Sequence, residues 1–425
     1  MQSRIFLTAV ACSLAALPGL RALAEGLPRA RAESVGMSSA RLDRLTDVTH
    51  DWVDQGHIAG VVTLVARRGS VVHLNAYGMA DIENNEPMRE NAYFRLYSMT
   101  KPVTTVALLM QYEQGKFRLS DPLARHLPEY ADVKVFAGTD ANGTIILDEP
   151  VRAPTMHDVF RHTPGFGNLP EAVRNLIAAD TSAAANLDEY SQTVAASPLL
   201  YQPGERWVYS HSHDIQARLV EVFSGLPFDQ YVHRYILEPL GMEETVFGLP
   251  ANLRDRFPNT YNPGPSGEFI AMDTPEDTSY DTIPRGGTSL SGTIMDYALF
   301  AQMLVNSGEL NDERLLSPVT IDLMSSDHLP AGVARGLPGG GEALGESYGL
   351  GVRVVTDSAL AGNLTSAGTF GWSGAAGTHF FVDRSEDLIA VFMIQRLGTG
   401  PGNGDLSTYD MRPAFETLVY QAIIE

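Results

Sequence analysis

The stretch GVVTLVARRGSVVHLNAYG, residues 60 to 78, predicts a β-hairpin near the start of the chain. Two runs rich in β-branched residues flank Arg68, Gly69 and Ser70, which form the expected turn. A second stretch, THFFVDRSEDLIAVFMIQR at residues 378 to 396, repeats this pattern near the other end. Because tight turns join antiparallel strands, we expect one largely antiparallel sheet built from both ends of the chain.

Amphipathic helices are predicted beside both hairpins and through the middle of the chain. Residues 41 to 55 and 415 to 423 each place apolar side chains on one helical face. Further helical segments are predicted at residues 186 to 197, 212 to 225, 227 to 242 and 292 to 308. The second of these is expected to begin with Ser212 as its N-cap and to end at Gly225.

These patterns predict an α/β (α+β) fold, in which a largely antiparallel sheet is flanked by N- and C-terminal helices. We expect residues 25–140 and 286–425 to form the α/β domain. Residues 141–285 are expected to form an inserted, mainly helical domain.

Composition excludes several function classes. The 425 residues are 44% hydrophobic and 19% charged, as in ordinary globular proteins. The formal net charge of −21 repels phosphate backbones, so nucleic-acid binding is not expected. The only cysteine is Cys12. We expect it to be removed with the N-terminal segment, which leaves no disulfide or cysteine metal site. No cofactor is expected.

The first 24 residues have the features of an export signal. Arg4 precedes an apolar run from Ile5 to Leu20, and a small-x-small pattern ends at Ala24. The run is shorter than the roughly 20 apolar residues of a membrane span, so the mature chain is expected to have no stable span. The sequence predicts a periplasmic or secreted protein. The alternatives are a buried N-terminal helix and a lipoprotein anchor at Cys12.

The stretch LYSMTKPVTTVAL, residues 96 to 108, contains one of only three lysines in the chain. Lys101 follows Ser98 by three residues, and Pro102 is tolerable only in the first turn of a helix. Ser98 is therefore predicted at a helix N-terminus, where the helix dipole and a backbone N–H stabilise an oxyanion. A serine needs a base to remove its proton, and lysine can be neutral when desolvated, whereas arginine cannot. The alternative is a capping serine beside a surface lysine.

Two later stretches offer partners for this pair. PGERWVYSHSHD, residues 203 to 214, places Tyr209 in a loop after a Pro-Gly turn and before a helix. FGWSGAAGTHFFV, residues 370 to 382, has small residues leading into a strand, which allow a ligand to approach the backbone. The alternative is that Tyr209 is a buried tyrosine and Trp372 a core aromatic residue, without a role at an active site.

Together, Ser-x-x-Lys at 98–101, Tyr-Ser at 209–210 and Trp-x-Gly at 372–374 resemble the serine β-lactamase and penicillin-binding-protein superfamily. Within it, the chain is most similar to class C β-lactamases and family VIII carboxylesterases. The likeness extends from about residue 35 to the end. Supporting stretches are RHTPGF at 161–166, PGERWVYS at 203–210, PLGMEETVF at 239–247 and GGTSLSGTIMDYALFAQML at 286–304.

The resemblance implies three catalytic roles. Ser98 corresponds to the acylated nucleophile, and Lys101 to the group that accepts its proton. Tyr209 corresponds to the phenol that passes a proton to the leaving group and activates the deacylating water.

The resemblance also implies how substrate is held. Trp372, Ser373 and Gly374 occupy the place of Lys-Thr-Gly in the family. The backbone N–H groups of Ser98 and Ala375 would then form the oxyanion hole.

The chain departs from class C β-lactamases at two positions. Tryptophan replaces the lysine that suits the carboxylate of a β-lactam, and Trp372 gives an apolar wall that favours neutral acyl substrates. His211 stands where the β-lactamases have asparagine. It is expected either to shape the acyl site, to tune Tyr209 or to be structural.

The sequence is less compatible with two other classes of hydrolase, the zinc hydrolases and the α/β-hydrolases. The HSHD stretch at 211–214 lacks the spacing of a zinc hydrolase motif, and no Gly-x-Ser-x-Gly elbow is present. We therefore expect an exported serine hydrolase with an acyl-enzyme, acting on short-chain esters with weak β-lactamase activity. The alternatives are a β-lactamase or D-alanyl-D-alanine carboxypeptidase, and a non-catalytic peptidoglycan-binding protein. The expected partner is a small-molecule ester or β-lactam; the sequence does not indicate an oligomeric state.

Overall fold

The computed structural model describes residues 26–167, 181–264, 268–273, 283–336, 342–397 and 408–425. The predicted export signal, residues 1–24, lies outside these ranges, so export stays a prediction. Among the helices in the described ranges, none combines the length and apolar character needed to cross a bilayer.

The bounds of the regular elements are as follows. The strands are β1 Gly60–Arg67, β2 Ser70–Asp81, β3 Glu86–Pro87, β4 Phe94–Arg95, β5 Val135–Thr139, β6 Ile145–Asp148, β7 Thr245–Phe247, β8 Thr260–Pro263, β9 Phe269–Asp273, β10 Leu290–Gly292, β11 Glu309–Leu310, β12 Glu313–Arg314, β13 Glu346–Tyr348, β14 Arg353–Val355, β15 Phe370–Ser373, β16 His379–Asp383 and β17 Leu388–Met393. The α-helices are α1 Ser39–Asp54, α2 Thr100–Glu113, α3 Met156–Phe160, α4 Leu187–Ala196, α5 Ser212–Ser224, α6 Phe228–Val232, α7 Glu238–Leu240, α8 Ile294–Val305, α9 Pro318–Met324, α10 Ser358–Ala361 and α11 Thr408–Tyr420.

The largest sheet has eight strands in the order β13-β14-β15-β16-β17-β1-β2-β3. Every neighbouring pair in it is antiparallel. The two predicted hairpins, β1–β2 and β16–β17, meet at its centre, where β17 pairs with β1. The predicted fold class, with a sheet built from both ends of the chain, is confirmed.

Both faces of this sheet are covered by helices. On one face, side chains of α1 and α11 such as Trp52 and Phe415 pack with Phe392 of β17. On the other face, the buried side chains of α2 and α8 join a second core with alternate residues of β1, including Val62 and Leu64. Burial on both sides explains why β1 reads as a continuous apolar run rather than an alternating one.

Helix α2 lies deep in the molecule. Every residue from Thr100 to Leu109 is buried, so this helix has no solvent-facing stripe. A short 3₁₀ turn, Tyr97–Met99, leads into it, and Pro102 stands in its first turn as predicted. The rigid surroundings fix the position of any side chain at its N-terminus.

The middle of the chain differs from the prediction in detail. Ser212 was expected to cap α5, but it is the first helical residue and His211 occupies the N-cap position. The hydroxyl of Ser212 instead hydrogen-bonds the hydroxyl of Ser210 at 3.1 Å. The hairpins β5–β6 and β8–β9 add strands that the sequence pattern did not predict. The proposed domain boundaries stay predictions.

Candidate active site

Ser98 lies in the sharp turn that enters α2. The preceding residue, Tyr97, has a φ of 46°, a left-handed conformation that is strained for a tyrosine. The turn is fixed from behind, because the backbone N–H of Leu96 donates to the carbonyl of Leu290 at 2.9 Å. Ser98 is half-buried, so its hydroxyl is held in place while part of it remains accessible.

Lys101 points back to this serine from the first turn of α2. Its side chain is only 3% exposed. Its Nζ atom lies 3.1 Å from the Ser98 Oγ and donates to the carbonyl oxygen of Gly287 at 2.7 Å. Both partners are neutral oxygens, and within the described part of the chain no carboxylate forms an ion pair with Lys101. The amine is therefore directed at the serine rather than at a counter-charge.

The ring of Tyr209 lies beside the Lys101 amine. Its ring centroid lies 4.6 Å from the Lys101 Nζ, and its side chain is 40% exposed. The Nε1 atom of Trp372 donates to the Tyr209 hydroxyl at 3.4 Å. Among the described residues, no hydrogen bond joins this hydroxyl to Ser98. The predicted proton transfer by Tyr209 stays a prediction and requires the phenol to turn toward Ser98.

The loop RHTPGF supports Tyr209 from behind. His162 is fully buried with a φ of 58°, and its ring centroid lies 4.9 Å from that of Tyr209. Its Nδ1 accepts from the backbone N–H of Ser210 at 3.3 Å. Burial holds the pKa of His162 well below its usual range. We infer that His162 is a neutral, packed residue that positions the tyrosine loop.

Asp158 anchors that loop. Its fully buried carboxylate accepts from the guanidinium groups of Arg152 and Arg161 and from the hydroxyls of Thr155 and Thr163. Burial alone would raise the pKa of Asp158, but hydrogen bonds from Arg152 and Thr155 lower the pKa to about 2. The carboxylate is therefore ionised and fully engaged.

Replacing Asp158 with asparagine should lower the free energy of unfolding by about 3 kcal/mol at neutral pH, because two arginines lose their buried counter-charge. The folded-state pKa lies below the ordinary carboxyl value, so this stabilisation is present above about pH 4 and is lost as the pH falls toward 2. Urea unfolding at a series of pH values should show the gap between wild type and variant narrowing in acid.

The matched control for this substitution is Asp188→Asn. Asp188 also pairs with an arginine, Arg218, but its side chain is 46% exposed. Asp188→Asn should lower the free energy of unfolding by about 1 kcal/mol or less. Equal destabilisation by the two substitutions would contradict the anchoring role of Asp158.

Trp372, Ser373 and Gly374 form the other wall. A Cβ atom at Gly374 would lie 2.5 Å from the carbonyl oxygen of Leu96, so only glycine fits there. The strand end consequently packs directly against the turn that holds Ser98. Ala375 is exposed on the following turn, and the predicted oxyanion hole of Ser98 and Ala375 stays a prediction.

His211 belongs to a hydrogen-bonded chain that reaches Lys101. Its Nδ1 lies 2.7 Å from the hydroxyl of Tyr190, and that hydroxyl donates to Asp214 at 3.2 Å. The other oxygen of Asp214 accepts from the backbone N–H of Gly287 at 2.9 Å, and the carbonyl of Gly287 accepts from Lys101. Burial lowers the pKa of His211. A direct contact of His211 with substrate stays a prediction.

The chain is similar to a known protein family over most of its length. Residues 41–412 match the Beta-lactamase family. The chain belongs to the β-lactamase family. The resemblance predicted from the three motifs is thereby confirmed.

Relatives within the β-lactamase family include named esterases. Esterase EstB of Burkholderia gladioli is 30% identical over 383 residues, which cover 84% of this chain and 90% of that protein. Lovastatin esterase of Penicillium rubens is 27% identical over 391 residues, covering 87% and 96%. The solved structure of simvastatin synthase from Aspergillus terreus shares the fold, with a TM-score of 0.77 at 23% identity, and covers 89% of this chain and 98% of that one.

The structure of this β-lactamase family member brings together Ser98, Lys101, Tyr209 and Trp372, and the roles predicted for them stay predictions. Sequence reasoning missed the Gly287 carbonyl, which accepts from Lys101, and Asp214, which accepts from the backbone N–H of Gly287. One available signal was that Asp214 lies three residues after His211, in the first turn of the same helix. No spacing in the sequence indicated the contact of the Gly287 carbonyl with Lys101, because the two residues are 186 positions apart.

Proposed function

We propose that this protein is a serine hydrolase that forms an acyl-enzyme on Ser98 and acts on short-chain carboxylic esters. The observation that supports it most strongly is the buried Lys101 Nζ at 3.1 Å from the Ser98 Oγ. This spacing lies within the range in which a base takes the proton of a nucleophile. The chain itself is a β-lactamase-family hydrolase.

The reaction would proceed in two halves. The Ser98 Oγ attacks the ester carbonyl carbon while its proton passes to a neutral Lys101 amine. The tetrahedral intermediate collapses, the C–O bond of the leaving alcohol breaks, and the alcohol oxygen receives a proton through Tyr209. Water then attacks the acyl carbon, and the Ser98 oxygen regains a proton as the carboxylic acid leaves.

An aromatic wall favours esters over β-lactams. The Trp372 ring contacts the rings of Tyr209 and Tyr348, with centroid distances of 5.7 and 5.2 Å. This wall occupies the place of the family lysine that suits a β-lactam carboxylate. An uncharged ester can contact it without losing a counter-ion, whereas a carboxylate would be desolvated there. Two relatives are named as esterases, which also supports an ester as the substrate.

The substrate preference can be measured on one preparation. We expect kcat/KM for p-nitrophenyl acetate or butyrate to exceed that for nitrocefin by at least about tenfold. The nitrocefin carboxylate lacks the lysine contact that Trp372 replaces, and the loss of one such contact lowers kcat/KM by about that factor. A higher value for nitrocefin would establish β-lactam hydrolysis as the main activity. Failure of a covalent serine probe to label the protein would instead favour a non-catalytic binding protein.

A further inference from the structure

The carbonyl oxygen that contacts Lys101 belongs to the second of two adjacent glycines, Gly286 and Gly287. A Cβ atom at Gly286 would lie 2.2 Å from the carbonyl oxygen of His213, so no larger residue fits there. A Cβ atom at Gly287 would lie 3.0 Å from the carboxylate of Asp214. Glycine has the greatest backbone freedom of all residues, so this segment depends on its neighbours to fix the position of its carbonyl groups.

Two helices hold the glycine pair. In α2, the hydroxyl of Thr104 donates to the carbonyl of Gly286 at 2.7 Å. In α5, the carboxylate of Asp214 accepts from the backbone N–H of Gly287 at 2.9 Å. The carbonyl of the same glycine accepts from Lys101 at 2.7 Å. Asp214 therefore fixes, through its N–H, the residue whose carbonyl meets the lysine amine.

Asp214 is itself held in place. It lies in the first turn of α5 and is only 8% exposed. The carboxylate oxygen that does not bind Gly287 accepts from the hydroxyl of Tyr190 in α4 at 3.2 Å. Both oxygens are thus engaged, and the carboxylate cannot turn away from Gly287 without losing a buried hydrogen bond.

The Gly287 carbonyl can orient the amine for its reaction with the serine. A neutral lysine amine has two N–H groups and one lone pair, and only the lone pair accepts the proton of Ser98. An N–H that donates to the Gly287 carbonyl is directed away from the serine. The lone pair can then face the Ser98 Oγ, which lies 3.1 Å from the Nζ.

We propose that Asp214 is a positioning residue, which holds Gly287 so that the Lys101 amine stays aimed at Ser98 during acylation. This inference rests on the proposed function, because it assigns a part in the acylation of Ser98. Within the described residues, no hydrogen bond or ion pair joins Asp214 directly to Lys101. Because Asp214 acts on the base, its loss should slow acylation and leave substrate binding unchanged.

The test is single-turnover hydrolysis of p-nitrophenyl butyrate with enzyme in excess, which separates the acylation rate constant from the half-saturating concentration. Asp214→Ala removes the acceptor of the Gly287 N–H. We expect the acylation rate constant to fall by about tenfold to a hundredfold, as when a catalytic group is displaced by about 1 Å. The half-saturating concentration should stay within about twofold of the wild-type value.

The conservative variant is Asp214→Asn. Its side-chain oxygen can still accept from the Gly287 N–H, and its amide N–H can donate to the Tyr190 oxygen. The acylation rate constant should therefore stay within about threefold of the wild-type value. Equal slowing by Asp214→Asn and Asp214→Ala would contradict positioning through the hydrogen bond to Gly287.

The matched control is Asp296→Ala, at the same place in another helix. Asp296 is nearly buried in the first turn of α8. It accepts from the backbone N–H of Glu244 at 2.8 Å and from the hydroxyl of Thr245 at 2.9 Å. In the described part of the chain, neither partner hydrogen-bonds Lys101. Both alanine variants should lower Tm, but only Asp214→Ala should slow acylation.

A second variant keeps the carboxylate. Tyr190→Phe removes the hydroxyl that holds one oxygen of Asp214, so acylation should slow by about threefold to tenfold. If Asp214→Ala does not fold, this variant decides the question. An unchanged acylation rate constant in folded Tyr190→Phe would then overturn the proposal.

The outcomes separate the two claims. If the wild type forms an acyl-enzyme on Ser98 but folded Asp214→Ala acylates at the wild-type rate, the positioning role is wrong and the proposed function stands. If the wild type releases no p-nitrophenol, the proposed function is wrong and the inference falls with it.

Discussion

Replacing Ser98 with alanine should lower kcat/KM for every ester substrate by about 10⁴-fold or more, because the hydroxyl that takes up the acyl group is removed. Ser98 is half-buried at the entry to α2, and alanine fits the same turn with one atom fewer. Lys101 keeps its bond to Gly287. The loss should therefore be chemical, and the measurement is steady-state hydrolysis of p-nitrophenyl butyrate.

The control for this substitution is the stability of the variant. Thermal unfolding should give nearly the same Tm as wild type, since a partly exposed hydroxyl is removed from a rigid turn. Residual activity above about 1% in a correctly folded variant would mean that another group attacks the ester. That result would remove Ser98 from the reaction, because the loss would fall short of what a nucleophile contributes.

The second large effect is expected for Lys101→Arg, which replaces an amine that can accept a proton with a guanidinium that cannot. We expect kcat/KM to fall by roughly 10²–10⁴-fold, the usual contribution of a general base. A guanidinium stays protonated and cannot accept the Ser98 proton. The measurement is again ester hydrolysis, compared at pH 7 and pH 9.

The matched control is Lys116→Arg, which makes the same replacement just beyond the other end of helix α2. Lys116 is exposed and binds Gln111 and the carbonyl of Phe223, far along the helix from Ser98. This variant should retain full activity. Equal rates for Lys101→Arg and wild type would show that the lysine acts only through its charge.

The general fold could be predicted from sequence because its signals are local. The two hairpins each carry β-branched runs around a short turn, and their strands lie where the pattern places them. The pairing of β1 with β17 followed from chain topology rather than from any one motif. The cap of α5 was predicted incorrectly, because the Ser212 hydroxyl bonds Ser210 rather than the helix backbone.

The active site could be predicted only in part, because some of its contacts are local in sequence and others join distant parts of the chain. Ser98 and Lys101 are three residues apart on one helix, so their contact follows from helical geometry. The residues that support them come from distant parts of the chain. Gly287 lies 186 residues from Lys101, and Asp214 lies 73 residues from Gly287. Such contacts depend on tertiary packing and leave no spacing that a motif could reveal.

Mass spectrometry of the protein after treatment with a slowly hydrolysed ester or a fluorophosphonate tests the central claim most directly. Two serines at the site have a nitrogen base within 3.1 Å of their hydroxyls: Ser98 with Lys101, and Ser373 with His379. We predict a single adduct on the peptide that contains Ser98. An adduct on Ser373, or no adduct in folded protein, would contradict the assignment of Ser98 as the nucleophile.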